Sequence, residues 1–114
     1  MNRRLDIAIA GAGVSGLAAA ALLSRGGHRV TVYERFDAAR PTGSGLMIQP
    51  VGLAALDRMG LRGDLESRGV RLDGIHGITD RGATVFDLRY SELDPTLYAL
   101  GVHRAALHEV LWHA

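Results

Sequence analysis

The sequence predicts an α/β fold in which a parallel βαβ unit carries an inserted antiparallel β-hairpin and stops short of a third parallel strand. Three observations lead there. Over residues 5–35 an apolar run of strand length, a glycine-rich turn, a helix-forming run and a second β-like run follow one another. The hydrophobic period then becomes strand-like over residues 72–88, and from Arg104 onward apolar residues return at helical spacing.

The first run, residues 5–10, breaks at Gly11-Ala12-Gly13-Val14-Ser15-Gly16, which fits GxGxxG without a gap. Each glycine has a separate task in such a turn. Gly11 allows the sharp exit from the strand, Gly13 lets the backbone approach a pyrophosphate, and Gly16 lets the helix pack closely on the sheet. The helix starts near Val14, so its first N–H groups and the positive end of its dipole face the space above the turn. Residues 17–23, LAAAALL, are strong helix formers, and Gly26-Gly27 stops them. Residues 30–33 form the second strand. It ends at Glu34, eighteen positions after Gly16, close to the spacing of an acid that accepts hydrogen bonds from an adenosine ribose. A carboxylate there also repels a 2′-phosphate, which favours FAD or NAD over NADP. Strand, turn, helix, strand and acid in this order make a Rossmann-like FAD/NAD(P)-binding unit. Its candidate cofactor-binding residues are Gly11, Gly13, Val14, Ser15, Gly16 and Glu34.

The 114 residues suffice for one domain or for part of a larger one. A formal net charge of +1, with 47% hydrophobic and 22% charged residues, points to neither a nucleic-acid nor a membrane partner. Without cysteine there is no disulfide, thiolate metal site or thiol nucleophile, which is compatible with a cytoplasmic protein. The start, Met1-Asn2-Arg3-Arg4 and an apolar stretch, superficially resembles a signal peptide. Asp6 and the glycine turn interrupt it too early for that reading, and the same turn would leave backbone groups unpaired in a bilayer.

Beyond Glu34 and Arg35, residues 36–45 read as a loop laid across a ligand, with Gly43-Ser44-Gly45 giving it backbone freedom. Residues 46–48 are a brief apolar run. Pro50 opens a helix that carries Leu53, Leu56 and Met59 at helical spacing up to Gly60, and residues 61–68 make a second short helix ended by Gly69. Residues 72–78 and 83–88 are β-like and flank Thr79-Asp80-Arg81-Gly82, the pattern of a hairpin. Asp94-Pro95 marks a turn, residues 97–102 look extended, and the helix from Arg104 places Leu107, Val110 and Leu111 on one face. A parallel pair and a hairpin with unpaired edges also expose this chain to self-association.

Other chemistries find less support. His108-Glu109 with His113 comes near a zinc-protease pattern, but the histidines are five apart and point in different directions, whereas HExxH needs four. They read as surface or packing residues, as do His28, His76 and His103. Ser15 and Ser44 have no base at a motif spacing. Asp87, Glu92 and Asp94 read as a solvated loop.

Four stretches resemble the FAD-dependent aromatic-ring monooxygenases, single-component flavoprotein hydroxylases of the p-hydroxybenzoate hydroxylase type: GAGVSGL at 11–17, VTVYER at 30–35, GSGLMIQPVGLAALDRMGL at 43–61 and VHRAALHEVL at 102–111. A nicotinamide dehydrogenase would share the first two only. The resemblance implies that Gly11, Gly13 and Ser15 line the FAD pyrophosphate, that Glu34 binds the adenosine ribose, and that Arg35 lies near the adenine. It also implies that Arg104 reaches the FAD and that residues 45–47 pass close to the flavin. The implied reaction is hydroxylation of a small aromatic substrate, with NAD(P)H as reductant and no catalytic side chain carried over onto this chain. On the same basis residues 1–114 are part of an FAD-binding domain. Residues 5–35 are its βαβ unit, 70–100 the start of a substrate-domain β-sheet, and 103–114 the return helix. A non-catalytic dinucleotide-binding module and an NAD-dependent oxidoreductase are the other readings of the same residues.

Overall fold

In a computed structural model, residues 3–38 and 43–114 are described, so the middle of the loop expected over 36–45 lies outside the described residues. The chain divides into two compact units, residues 1–44 with 104–114 and residues 45–103.

The first unit is built on strand β1 (Asp6–Ala10), helix α1 (Val14–Arg25) and strand β2 (Arg29–Tyr33). The strands pair in parallel, from Asp6 opposite Arg29 to Ala10 opposite Tyr33, which a tight turn cannot achieve and a crossover helix can. Alternation decides the faces. Ile7, Ile9, Val30 and Val32 are half-buried, while Asp6, Ala8, Ala10, Arg29, Thr31 and Tyr33 between them are exposed. Gly27 ends α1 at φ +86°, with the Gly26 and Gly27 N–H groups donating to the Leu22 and Ser24 carbonyls at 3.0 Å each. Helix α5 (Arg104–Trp112) packs against α1 and buries Leu107, Val110 and Leu111, the stripe its spacing predicts.

The second unit comprises β3 (Gly45–Ile48), α2 (Pro50–Arg58), α3 (Arg62–Glu66), β4 (Val70–Leu72), β5 (Gly74–Ile78), β6 (Thr84–Arg89), α4 (Tyr90–Leu93) and β7 (Ala99–His103). Its organising strand is β7. It lies between β3 and β4, antiparallel to both, and contributes Ala99, Leu100 and Val102 to a core completed by Ile48, Leu53, Leu56, Met59 and Leu65. One expectation is corrected here, the single run over residues 72–78, and two elements are added. The apolar run 46–48 is a strand. The stretch 72–78 is not one strand: Asp73 breaks it, Leu72 pairing with Ala99 while Gly74 pairs with Arg89. The short helix α4 follows β6 without a loop. The hairpin β5–β6 is antiparallel, closes through Thr79 N–H to the Ala83 carbonyl at 2.8 Å, and has a register irregularity between Gly77 and Ile78. All of β6 is exposed.

A polar cluster ties α3 to the segment entering β7. Arg62 donates from Nε to Glu66 at 2.9 Å and from Nη2 to the Tyr98 hydroxyl at 2.8 Å, the hydroxyl donates to Glu66, and the Arg71 guanidinium lies 4.1 Å from the centroid of the Tyr98 ring. Tyr98 first and Arg62 second hold the Glu66 carboxyl below its ordinary value of 4.5. A carboxyl lowered on folding binds protons less readily than in the unfolded chain. Its stabilisation is therefore full above the ordinary value and lost as pH falls through the lowered one. Tyr98→Phe is expected to cost about 0.5–1 kcal/mol at neutral pH, discounted for partial exposure. In urea unfolding the gap from the wild type should narrow as pH falls below the ordinary carboxyl value and close once it has passed through the lowered one, where Glu66 is protonated in both. A gap that persists unchanged in acid would mean that the hydroxyl acts without the carboxylate.

Candidate cofactor-binding site

The glycine turn sits between the end of β1 and the start of α1, and its three glycines differ physically. Gly11 has φ +99°, a left-handed conformation, and its N–H donates to the Tyr33 carbonyl at 2.7 Å, tying the turn to the end of β2. Gly13 is the N-cap of α1 with an ordinary φ of −78°, and a Cβ built on it would meet nothing within 4 Å. At Gly16 a Cβ would lie 2.0 Å from the Gly11 carbonyl oxygen. The first is required by conformation and the last by packing, whereas at the middle one the protein itself leaves open space.

That space lies over a helix start. The first intrahelical bond runs from Leu17 N–H to the Gly13 carbonyl at 2.9 Å, and no side chain caps α1. The N–H groups of Val14, Ser15 and Gly16 therefore have no intrahelical acceptor, an arrangement that suits an anion. Val14 and Ser15 are exposed.

Glu34 follows β2 directly and folds back onto the turn. Its Oε2 accepts from the Ala12 N–H at 2.7 Å and its Oε1 from the Phe36 N–H at 3.2 Å. These two bonds, the first foremost, hold the carboxyl below its ordinary value, so the group stays an anion with lone pairs to spare for hydroxyl donors. Arg35 is exposed, and its guanidinium lies 4.8 Å from the Phe36 ring centroid.

Arg104 opens α5. Its N–H donates to the Ser44 carbonyl at 3.3 Å, and its side chain runs along Gly43, where a Cβ would lie 3.2 Å from Nε. Gly43 has φ +110°, so both the space and the conformation there suit glycine. One turn along the same helix, His108 Nε2 is 2.8 Å from the Ala12 carbonyl oxygen. Since residues four apart share a helical face, Arg104 projects one turn from the atom that touches the glycine turn. The turn, Glu34, Arg35 and Arg104 thus belong to one unit although Arg104 is distant in sequence. Gly45 and Met47 lie on β3 of the other unit. An apolar groove of about 530 Å³ also runs along α1, from Ala12 and Glu34 to Ser24 and Arg25, with Val32, Leu111 and Trp112 in its walls.

Reading the sequence did not show that His108 meets Ala12. The available signal was the four-residue spacing from Arg104, which puts His108 on whatever face Arg104 presents. Among the described residues, no three histidine, aspartate or glutamate side chains gather as metal ligands. No described helix is long and apolar enough to cross a membrane.

Known proteins resemble this chain along most of its length. The 3-amino-4-hydroxybenzoate 2-monooxygenase PtmB3 of Streptomyces platensis is 37% identical over 116 residues, covering 96% of this chain and 29% of its own. The 3-hydroxybenzoate 6-hydroxylase 1 of Aquipseudomonas alcaligenes is 35% identical over 114 residues, again covering 96% and 29%. The chain therefore spans less than a third of these relatives. Among solved structures, p-nitrophenol 4-monooxygenase PnpA from Pseudomonas putida DLL-E4 matches with a TM-score of 0.84 at 24% identity, over 97% of this chain and 29% of that one. The probable FAD-dependent monooxygenase pqsL from Pseudomonas aeruginosa matches with a TM-score of 0.82 at 28% identity, over 97% and 30%. The mixed α/β fold and its sheets are those of FAD-binding monooxygenases. A family model described as an FAD binding domain matches residues 4–113, and the chain belongs to that family.

Proposed function

We propose that the first unit holds the ADP half of FAD in a flavin-dependent, NAD(P)H-using monooxygenase that hydroxylates an aromatic or similar small organic substrate. The observation that carries this reading is the Glu34 carboxylate docked on the Ala12 N–H at 2.7 Å, which joins a ribose-binding acid to a phosphate-binding turn. In this reading Gly11, Gly13, Val14, Ser15 and Gly16 cradle the pyrophosphate with backbone N–H groups and the dipole of α1. Glu34 accepts from the ribose hydroxyls, Arg35 lies beside the adenine, and Arg104 supplies guanidinium donors to the cofactor. The parallel pair is the start of a Rossmann-like sheet, the hairpin unit is the start of a substrate domain, and α5 is the return helix.

Bound FAD would supply the redox chemistry, in which NAD(P)H, dioxygen, a proton and the aromatic substrate give the phenol, NAD(P)⁺ and water. The chain's own residues bind and orient. Glu34 discriminates against a 2′-phosphate by charge, and the open space at Gly13 admits the diphosphate.

The full-length protein tests this directly. It should purify with the visible absorbance of oxidised flavin, and NAD(P)H oxidation should accelerate in the presence of a hydroxybenzoate, with hydroxylated product formed. A protein that binds NAD but no flavin would overturn the proposal. Arg104→Ala separates the same alternatives. It is expected to weaken FAD binding about tenfold, as loss of a charge-assisted hydrogen bond does. A nicotinamide dehydrogenase gives no reason for a loss at this position, so an unchanged titration would remove Arg104 from the site.

A further inference from the structure

We propose that His108 is a positioning residue for the dinucleotide turn, setting the direction of the Gly13 N–H by holding the Ala12–Gly13 peptide. The proposal rests on the FAD reading above.

Ala12 is 5% exposed and has a glycine on either side. Its two peptide planes are held from different elements. The plane before it is fixed by its N–H donating to Glu34 Oε2 at 2.7 Å, and the plane after it by its carbonyl, which lies 2.8 Å from His108 Nε2. A carbonyl oxygen only accepts, so His108 Nε2 must carry the proton and donate. In a trans peptide the N–H points opposite to the C=O, so a carbonyl drawn toward α5 sends the Gly13 N–H the other way. Gly13 is the N-cap of α1, and its N–H is a donor of the turn beside the uncapped helix start.

Glycine explains why such a hold is needed. The Ala12–Gly13 peptide turns about ψ of Ala12 and φ of Gly13, the second of which has a glycine's wide freedom, and an unheld peptide would be free to present the phosphate with a carbonyl in place of an N–H. Trp112, one turn further along α5, stacks on the His108 ring with centroids 6.1 Å apart and planes 21° apart, which fixes the ring's orientation. The geometry is that of a supporting shell that orders the groups touching a ligand.

The test uses the full-length protein and measures FAD binding by fluorescence titration, with ADP as competitor. His108→Leu, similar in bulk but without a donor, is expected to weaken FAD and ADP by the same factor, about three- to tenfold. His108→Gln, whose amide N–H reaches about as far as Nε2, should restore both to within about twofold, whereas His108→Asn, with the same amide on a shorter stem, should not. In a Glu34→Ala background the His108→Leu effect should shrink, because the two residues hold adjoining planes of one residue. Loss without rescue by Gln, equal behaviour of Gln and Asn, or full additivity with Glu34→Ala would make His108 a packing residue and overturn the proposal. So would unchanged affinity in His108→Leu. If the wild type binds neither FAD nor ADP, the FAD reading itself fails and takes this one with it.

Discussion

Gly13→Val is expected to remove FAD binding from the full-length protein, by a hundredfold or more, while leaving the fold in place. The backbone at Gly13 has φ −78°, which any residue adopts, and a Cβ there meets nothing of the protein within 4 Å. The apoprotein thus loses little beyond the weaker N-cap, about 1 kcal/mol or less. The branched side chain instead fills the space where a pyrophosphate would approach the helix start, and displaces it from the N–H groups of the turn. Circular dichroism and thermal unfolding of the apoprotein should match the wild type, while a flavin titration should show no saturable binding. Wild-type FAD affinity in this variant would place the diphosphate elsewhere.

Gly16→Ala is expected to do the reverse, although it adds only a methyl group three residues away. Its Cβ would lie 2.0 Å from the Gly11 carbonyl oxygen and 3.4 Å from Cγ2 of Ile9. The nearer neighbour is backbone, in the peptide whose Ala12 N–H is held by Glu34 Oε2 at 2.7 Å, and it has no flexible end to move aside. Either α1 lifts from the strand or the turn opens. The loss of stability should reach the upper end of the range for overpacking, about 3 kcal/mol, and flavin retention should fall with it. A thermal midpoint equal to the wild type's would mean that α1 has room to slide. Two glycines of one turn therefore fail differently, one by blocking a ligand and the other by unseating a helix.

The βαβ unit was legible because each of its signals is local. Strand, glycine turn, helix former and stop glycine are read within a few residues of one another, and the observed bounds differ from the expected ones by a residue or so. The candidate site proposed above draws on the same local signal at Gly11, Gly13, Gly16 and Glu34, which belong to one motif. Arg104 came from the resemblance alone. What escaped depends on distant pairing. Residues 46–48 are too short to declare a strand until Ile48 meets Leu100, and nothing within residues 72–78 says that its two ends belong to different sheets. Asp73, a polar residue poorly suited to a strand interior, was the one local hint of that break. His108 was passed over because its partner, Ala12, is 96 positions away, and a histidine on an amphipathic helix shows no local sign of it.

The entry to the second unit and the exit from it are bound to each other. Arg104 N–H meets the Ser44 carbonyl at 3.3 Å, and the next step outward pairs Gly45 with His103 at the start of the β3–β7 ladder. The excursion through residues 45–103 is therefore closed at its neck, like a purse on its drawstring. The entropy of bringing α5 back to α1 is met by zipping adjacent residues of one ladder, and it grows only with the logarithm of the length between. Segments inserted or lost between α2 and β7 would leave the return point of α5 unchanged, and with it the register of His108 on the glycine turn. Variation in the length of the second unit is in this way kept from the first.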